Sequence, residues 1–315
     1  MENMLQWGLD FIRAVQSAAS LPLTAVMNIV TWFGSTWFWF TLLPLVFWCA
    51  DAKKGIQIGV TVMVSAWLNI TLKFLFNQPR PFWEGYDPGL AFMPESLNGF
   101  PSGHAQAALV IWMIVASWTE KNWAFAVAAF VVLLISFSRV YLGVHFPTDI
   151  LGGWILGALT LAVYFLWGDS FGELLARGGL RAQLIVSAAA AFIMILYNPA
   201  SAKAMPGGVE ALLSPGGIIL GMGAGYALTA RYTGFHSGFS DRSGVAAVLS
   251  ALGRIVIGAA GTVLLFIVLQ KTRGMLGPGF NRMGIFIQFA VSALWIYAGA
   301  PWLFVLLRLA EGKKA

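Results

Sequence analysis

The chain of 315 residues is 59% hydrophobic and only 10% charged, with 19 Lys+Arg against 13 Asp+Glu and a formal net charge of +6. Soluble domains average roughly 25% charged residues, so a water-soluble globule and a disordered chain are both excluded. The basic balance lacks any cluster of cations interleaved with aromatics; it speaks against nucleic acid and fits the Lys/Arg excess of cytoplasmic loops in membrane proteins.

A mean hydropathy of +0.78 points to a polytopic membrane protein. The N-terminus lacks a secretory signal pattern, because Asp10 and Arg13 interrupt its first apolar stretch. Residues 4–20 read as an amphipathic helix lying in the interface, since both charges would be costly at the bilayer centre. The long apolar stretch Leu21–Ala50 breaks near Gly34-Ser35, giving a short interfacial helix and then a span over 36–50. Further spans are predicted at 55–76, 104–118, 122–139, 147–167, 182–197, 215–230, 250–270 and 284–308. The expected fold is therefore all-α: a polytopic membrane helical bundle of about nine transmembrane helices, preceded by N-terminal interfacial helices. One Cys, Cys49, rules out an internal disulfide and a Cys-based metal site.

Polar residues are scarce, so their concentrations mark the chemistry. Lys73 and Arg80-Pro81 lie at the end of one span, and Pro101-Ser102-Gly103-His104 at the start of the next. Ser138-Arg139 ends the following span and leads to His145 and Asp149 at the start of its successor. Topological parity brings all three stretches out on one membrane face. A lone Lys or Arg at a span end is ordinarily a snorkelling anchor. Three cations beside two histidines on one face are not, and the sequence near them supplies no matching carboxylates.

Arg offers a fork of donors suited to phosphate oxygens, and Lys a point charge. Ser102 reads as a helix N-cap, leaving the N–H groups of Gly103 and His104 free to face an anion. His145 can attack phosphorus if Asp149, four residues on, accepts its Nδ1–H and fixes the tautomer. His104, with no carboxylate near it in sequence, is the better general acid toward the leaving oxygen. No Asp/Glu/His set has an obvious metal-ligand spacing, and the chemistry needs no metal or cofactor.

These stretches resemble the three-part signature of the type 2 phosphatidate phosphatase superfamily, which includes lipid phosphate phosphatases, glucose-6-phosphatases and vanadium haloperoxidases. All eleven signature positions match: Lys73, Arg80, Pro81, Pro101, Ser102, Gly103, His104, Ser138, Arg139, His145 and Asp149. The resemblance implies His145 as nucleophile, His104 as acid, phosphate binding by Lys73, Arg80, Ser102, Gly103 and Arg139, and metal-independent catalysis. It covers about 73–149 and says little of 170–315. The organisation expected is one membrane domain over 1–315, with a catalytic helix core at 36–168 and additional transmembrane helices of unassigned role at 169–315.

The expected activity is hydrolysis of a lipid phosphate monoester or diphosphate through a phosphohistidine, with phosphatidate, sphingoid phosphates and isoprenyl diphosphates all open. The substrate and the surrounding membrane lipids are the expected partners. The alternatives are a phosphatase of a small soluble ester such as a sugar phosphate, or a non-catalytic lipid-binding or transport protein. A transporter would place polar residues at mid-span rather than at span ends.

Two further features complete the reading. The segment Phe82–Phe100, mixing aromatics with Glu84, Asp87 and Glu95, is either a lid or lipid-entry rim or an interfacial loop without a selective role. His236 falls on the opposite face and reads as solvated. Parity puts eleven Lys and Arg on that opposite face and five on the site face besides the three site cations. The site and the N-terminus are thereby expected outside (periplasmic, extracellular or lumenal), and the C-terminus inside.

Overall fold

The computed structural model describes the chain except residues 1, 84, 198, 200, 201, 204, 240–242, 278–279 and 314–315, and except the side chains of 2–4. Glu84 of the predicted rim, and Arg242 and Lys314 of the charge count, lie outside the described residues. Among those described there is no β-strand, and the one isolated bridge pairs His236 with Glu311.

The helices in chain order are α1 (Glu2–Gln16), α2 (Leu21–Trp32), α3 (Thr36–Cys49), α4 (Ala52–Phe76), α5 (Gly103–Ser117) and α6 (Asn122–Tyr141). They continue as α7 (Pro147–Leu196), α8 (Gly208–Leu228), α9 (Gly244–Met275), α10 (Asn281–Leu294) and α11 (Ala300–Leu306). Six described helices are long and apolar enough to cross a membrane: Ala52–Phe76, Asn122–Tyr141, Pro147–Leu196, Gly208–Thr233, Gly244–Met275 and Asn281–Leu306. The pair α2 and α3, bent by 45°, makes a seventh if taken as one span. The protein is a multi-pass, all-α integral membrane protein.

The difference from about nine has three local causes. The 50-residue α7 holds two of the expected spans and breaks at Gly179, whose φ of 66° and ψ of −163° are not helical. The 15 residues of α5 are apolar but fall short of the length of a full crossing. The expected span at 36–50 is the second arm of the bent pair, since the chain turns at 33–35.

The chain forms two compact units. The first is Met1–Phe40, Val64–Leu166 and Pro199–Gly208; the second is Thr41–Met63, Trp167–Asn198 and Val209–Ala315. In the first, α5 and α6 pack through Ala108 against Val132 and Ile135, and through Ala116 against Ala124 and Ala128. Small side chains at those positions let two backbones approach closely where lipid supplies no hydrophobic drive between helices. The apolar face of α1 is buried rather than resting only against lipid. Leu5, Leu9 and Ile12, spaced for one helical face, pack on Val140, Phe146 and Ile150. Polar ties extend the contact: Arg13 pairs with Asp87 at 2.8 Å, and Gln16 Nε2 donates to the carbonyls of Leu90 and Tyr141, each at 2.8 Å.

Two glycines allow the approaches that shape this unit. Gly143, at φ 70°, turns the chain out of α6, and a Cβ there would lie 2.0 Å from the Leu90 carbonyl oxygen. Gly153 lets α7 lean on the start of α5, where a Cβ would come within 2.5 Å of the Ser102 carbonyl oxygen.

In the second unit, Arg254, one of the eleven cations counted for the opposite face, is 1% exposed within α9. Its guanidinium donates to the carbonyls of Trp48 (2.8 Å), Ser237 (2.6 Å) and Leu309 (2.9 Å), and lies over the Phe239 ring. Two π-helical turns, Thr229–Thr233 and Trp295–Gly299, are tied by Thr229 Oγ1 donating to the Tyr297 carbonyl at 2.7 Å. His236 is exposed, in keeping with a solvated histidine.

Candidate active site

All eight residues singled out from the sequence as catalytic or phosphate-binding belong to the first unit, and hydrogen bonds join four of them, Arg80, Ser102, His145 and Asp149, directly to one another. Lys73 sits in the last turn of α4, which ends at Asn77 in the left-handed region (φ 47°). Its ammonium donates to the carbonyls of Asn98 (2.6 Å) and Gly99 (2.8 Å), and Asn98 Nδ2 returns a bond to the Lys73 carbonyl at 2.9 Å. Lys73 thus pins the far end of the 77–102 loop while keeping one N–H uncommitted.

Ser102 is the N-cap of α5, its Oγ accepting from Ala105 N, and its own N–H donates to the Asp149 carbonyl at 2.9 Å. Behind the turn, Asn69 Nδ2 holds the Pro101 carbonyl (3.2 Å) and the Gln106 amide oxygen (2.7 Å). Gln106 in turn donates to Ser65 Oγ at 2.6 Å. The N–H groups of Gly103 and His104, and the His104 ring, make no hydrogen bond among the described residues, as a helix start facing an anion requires.

His145 and Asp149 form the centre. His145 Nδ1 lies 3.0 Å from Asp149 Oδ2, which also accepts from Phe146 N at 3.0 Å. The other carboxylate oxygen accepts from Gln78 Nε2 at 2.9 Å. Opposite, His145 Nε2 is 3.3 Å from Arg80 Nη1. A guanidinium has no acceptor, so the imidazole must accept at Nε2 and carry its proton on Nδ1. Two neighbours therefore fix the tautomer that leaves the Nε2 lone pair pointing at the cations.

Burial, reinforced by the charges of Arg80, Lys73 and Arg139, pushes the His145 imidazole well below its ordinary value. The ring is then neutral at neutral pH, with the Nε2 lone pair available. With ring-labelled histidine, the His145 signals are expected to hold their neutral-form shifts from pH 7.5 to 5.5. A midpoint near 6.5 would mean that the ring is solvated.

Arg80 is 1% exposed and fully engaged: Nε on the Leu97 carbonyl, Nη1 on the Val144 carbonyl at 2.8 Å, and Nη2 on Glu95 Oε2 at 2.6 Å. Arg139, in the last turn of α6, donates Nη1 to Thr31 Oγ1 at 2.8 Å and Nη2 to Glu95 Oε1. Ser138 turns its hydroxyl to the Ile135 carbonyl at 2.6 Å and serves its own helix.

Glu95 corrects the expectation of cations without a matching carboxylate. Burial alone would raise its carboxyl, yet Arg139 and Arg80 outweigh it and hold the group far below the ordinary carboxylate range. The 77–102 loop is therefore more than an interfacial connector, because Glu95, Leu97, Asn98 and Gly99 all bind site cations. Sequence reasoning missed Gln78, Thr31 and Asn98 as well. Gln78 stands between Lys73 and Arg80 in the first stretch and was within reach of it; Thr31, in α2, is far from every motif.

Residues 54–172 match the PAP2 superfamily, and residues 213–312 match the PAP2 superfamily phosphatase, transmembrane extension. Phosphatidylglycerophosphatase B of Bacillus subtilis is 32% identical over 153 residues, covering 44% of this chain and 71% of that protein. Lipid phosphate phosphatase delta of Arabidopsis thaliana is 25% identical over 301 residues, covering 89% and 70%. An undecaprenyl-diphosphatase of Sulfolobus acidocaldarius is 27% identical over 164 residues, covering 50% and 76%. With the signature residues gathered in one unit, the family match over 54–172 and a 32%-identical phosphatase relative covered over 71% of its length, the chain belongs to the PAP2 superfamily.

Proposed function

We propose that this protein is a membrane lipid phosphatase that cleaves a phosphate monoester or diphosphate through a phosphohistidine on His145. The observation that carries the reading is the tautomer lock, Asp149 on Nδ1 and Arg80 against Nε2, which leaves one nitrogen able to attack phosphorus. Nε2 forms the bond to phosphorus as the bond to the leaving oxygen breaks, and His104 supplies the proton to that oxygen. Water then attacks the phosphohistidine, gives a proton to His104, and releases inorganic phosphate. Arg80, Arg139 and Lys73, with the N–H groups of Gly103 and His104, offset charge on the equatorial oxygens during both steps.

Residues 36–168 are the catalytic core in this reading, and 169–315 supply further membrane helices. A site at helix ends suits an amphiphile whose phosphate lies in the interface while its tail stays in lipid. The names of the relatives support a lipid substrate, among which phosphatidate, sphingoid phosphate and isoprenyl diphosphate are the classes to compare. Detergent-purified protein in EDTA is expected to release phosphate from short-chain members of at least one class, with inhibition by vanadate. Failure on all three, with sugar phosphates hydrolysed instead, would move the substrate to the aqueous phase.

The Lys/Arg distribution supports a site facing the periplasm, exterior or lumen. A cysteine introduced at exposed Met93 is expected to react with an impermeant maleimide from that side only. Labelling solely from the cytoplasm would reverse the orientation.

A further inference from the structure

The carboxylate of Glu95 divides its two oxygens between the two buried arginines, Oε2 on Arg80 and Oε1 on Arg139. Those guanidiniums come from separate segments, and Arg80 is also the group that touches His145 Nε2. Two oxygens on one atom, bridging two guanidinium forks beside a nucleophilic nitrogen, reproduce what two oxygens of a phosphoryl group would do there.

The partners differ in freedom. Arg80 and Arg139 side chains are each 2% exposed and anchored by further hydrogen bonds to Val144 and Thr31. Glu95 is 32% exposed, on a stretch without helix or strand between Phe92 and Gly99. The movable member is the carboxylate. A phosphoryl dianion cannot share the arginines with it, because two anions at hydrogen-bonding separation repel strongly where burial keeps water from screening them.

We propose that Glu95 is an internal, tethered competitor for the phosphate seat: it occupies Arg80 and Arg139 when the seat is empty, leaves as substrate enters, and returns as inorganic phosphate departs. The proposal rests on the assignment of this site to phosphoryl chemistry. Two consequences follow from mass action. The resting protein never leaves two buried guanidiniums uncompensated, which is a destabilising arrangement. Every ligand that must displace Glu95 is also weakened by one common factor, whatever its structure, because each displaces the same contact. Tight product binding is thereby relieved without loss of the cations that act in the transition state.

That common factor is the signature to measure. E95Q keeps size and hydrogen bonding but removes the charge. In calorimetric titrations of detergent-purified protein with inorganic phosphate and with orthovanadate, E95Q is expected to tighten both dissociation constants, tenfold or more and by the same ratio. Unchanged or weaker binding of both would overturn the proposal, as would a ratio that differs between the two ions. A carboxylate serving only to latch the loop would give weaker binding and a lower melting temperature in E95Q.

A second readout covers a variant that fails to fold. With Glu95 intact, a fluorine label on Ser96→Cys in a Cys49→Ser background is expected to change its resonance when phosphate is added. A resonance unmoved at saturating phosphate would show that the loop does not yield, and the proposal would fail. If the wild type binds phosphate but hydrolyses no lipid phosphate, the proposed substrate class falls while the Glu95 comparison still reads the seat.

Discussion

His145→Ala is expected to lower turnover roughly 10⁴-fold or more, the scale seen when a covalent nucleophile is removed. Among the described residues no other nucleophile stands in its place. The Asp149 carboxylate lies behind the ring, bonded to Nδ1, Phe146 N and Gln78, and Arg80 only donates. The variant should still insert and purify, because the helices flanking the corner are held by α1 and by the α5–α6 packing, neither of which uses the imidazole. Phosphate release and acid-labile ³²P incorporation are the measurements. Activity within tenfold of wild type, or label retained in the variant, would remove His145 from the reaction.

The second large effect concerns Asp149→Asn, expected to reduce kcat by about 10²–10⁴-fold, as loss of the orienting carboxylate does in triads, while KM moves less than threefold. Asp149 accepts three hydrogen bonds and is 0% exposed. An asparagine can still accept at the Oδ2 position if Gln78 rotates its amide to receive the new NH₂, so fold and substrate binding survive. What disappears is the negative charge that balances the ring once phosphorus is attached to Nε2. A change confined to KM would place Asp149 in binding rather than in chemistry.

The two variants probe what was most legible in the sequence. Three short stretches at helix ends carry nearly all the candidate site residues, because a helix terminus delivers a side chain to a fixed place with little dependence on the rest of the fold. Lys73 and Arg139 occupy last turns, Ser102 is a cap, and Asp149 lies in a first turn, each readable from local pattern. The four-residue step from His145 to Asp149 let their contact be expected before any coordinates.

Glu95 was not legible in that way. It lies in a loop with no hydrophobic period, where one carboxylate among three has nothing to mark it, and its partners are 15 and 44 residues away. Nor were the partners of Arg254 legible: the carbonyls that make its buried guanidinium sustainable come from the ends of segments distant in sequence. The span count suffered where length alone decides, at the short α5 and at a glycine break inside α7. The interfacial reading of α1 came from its charges; its buried contacts involve a partner surface more than seventy residues distant in sequence.

Gln16 gives that last contact its meaning. Its single amide nitrogen reaches Leu90, in the segment that carries Arg80 and Glu95, and Tyr141, in the last turn of α6 ahead of His145. The gap between those two pieces of chain is thus gauged from outside by α1, so the spacing of the candidate site is set partly by a helix that carries none of its residues.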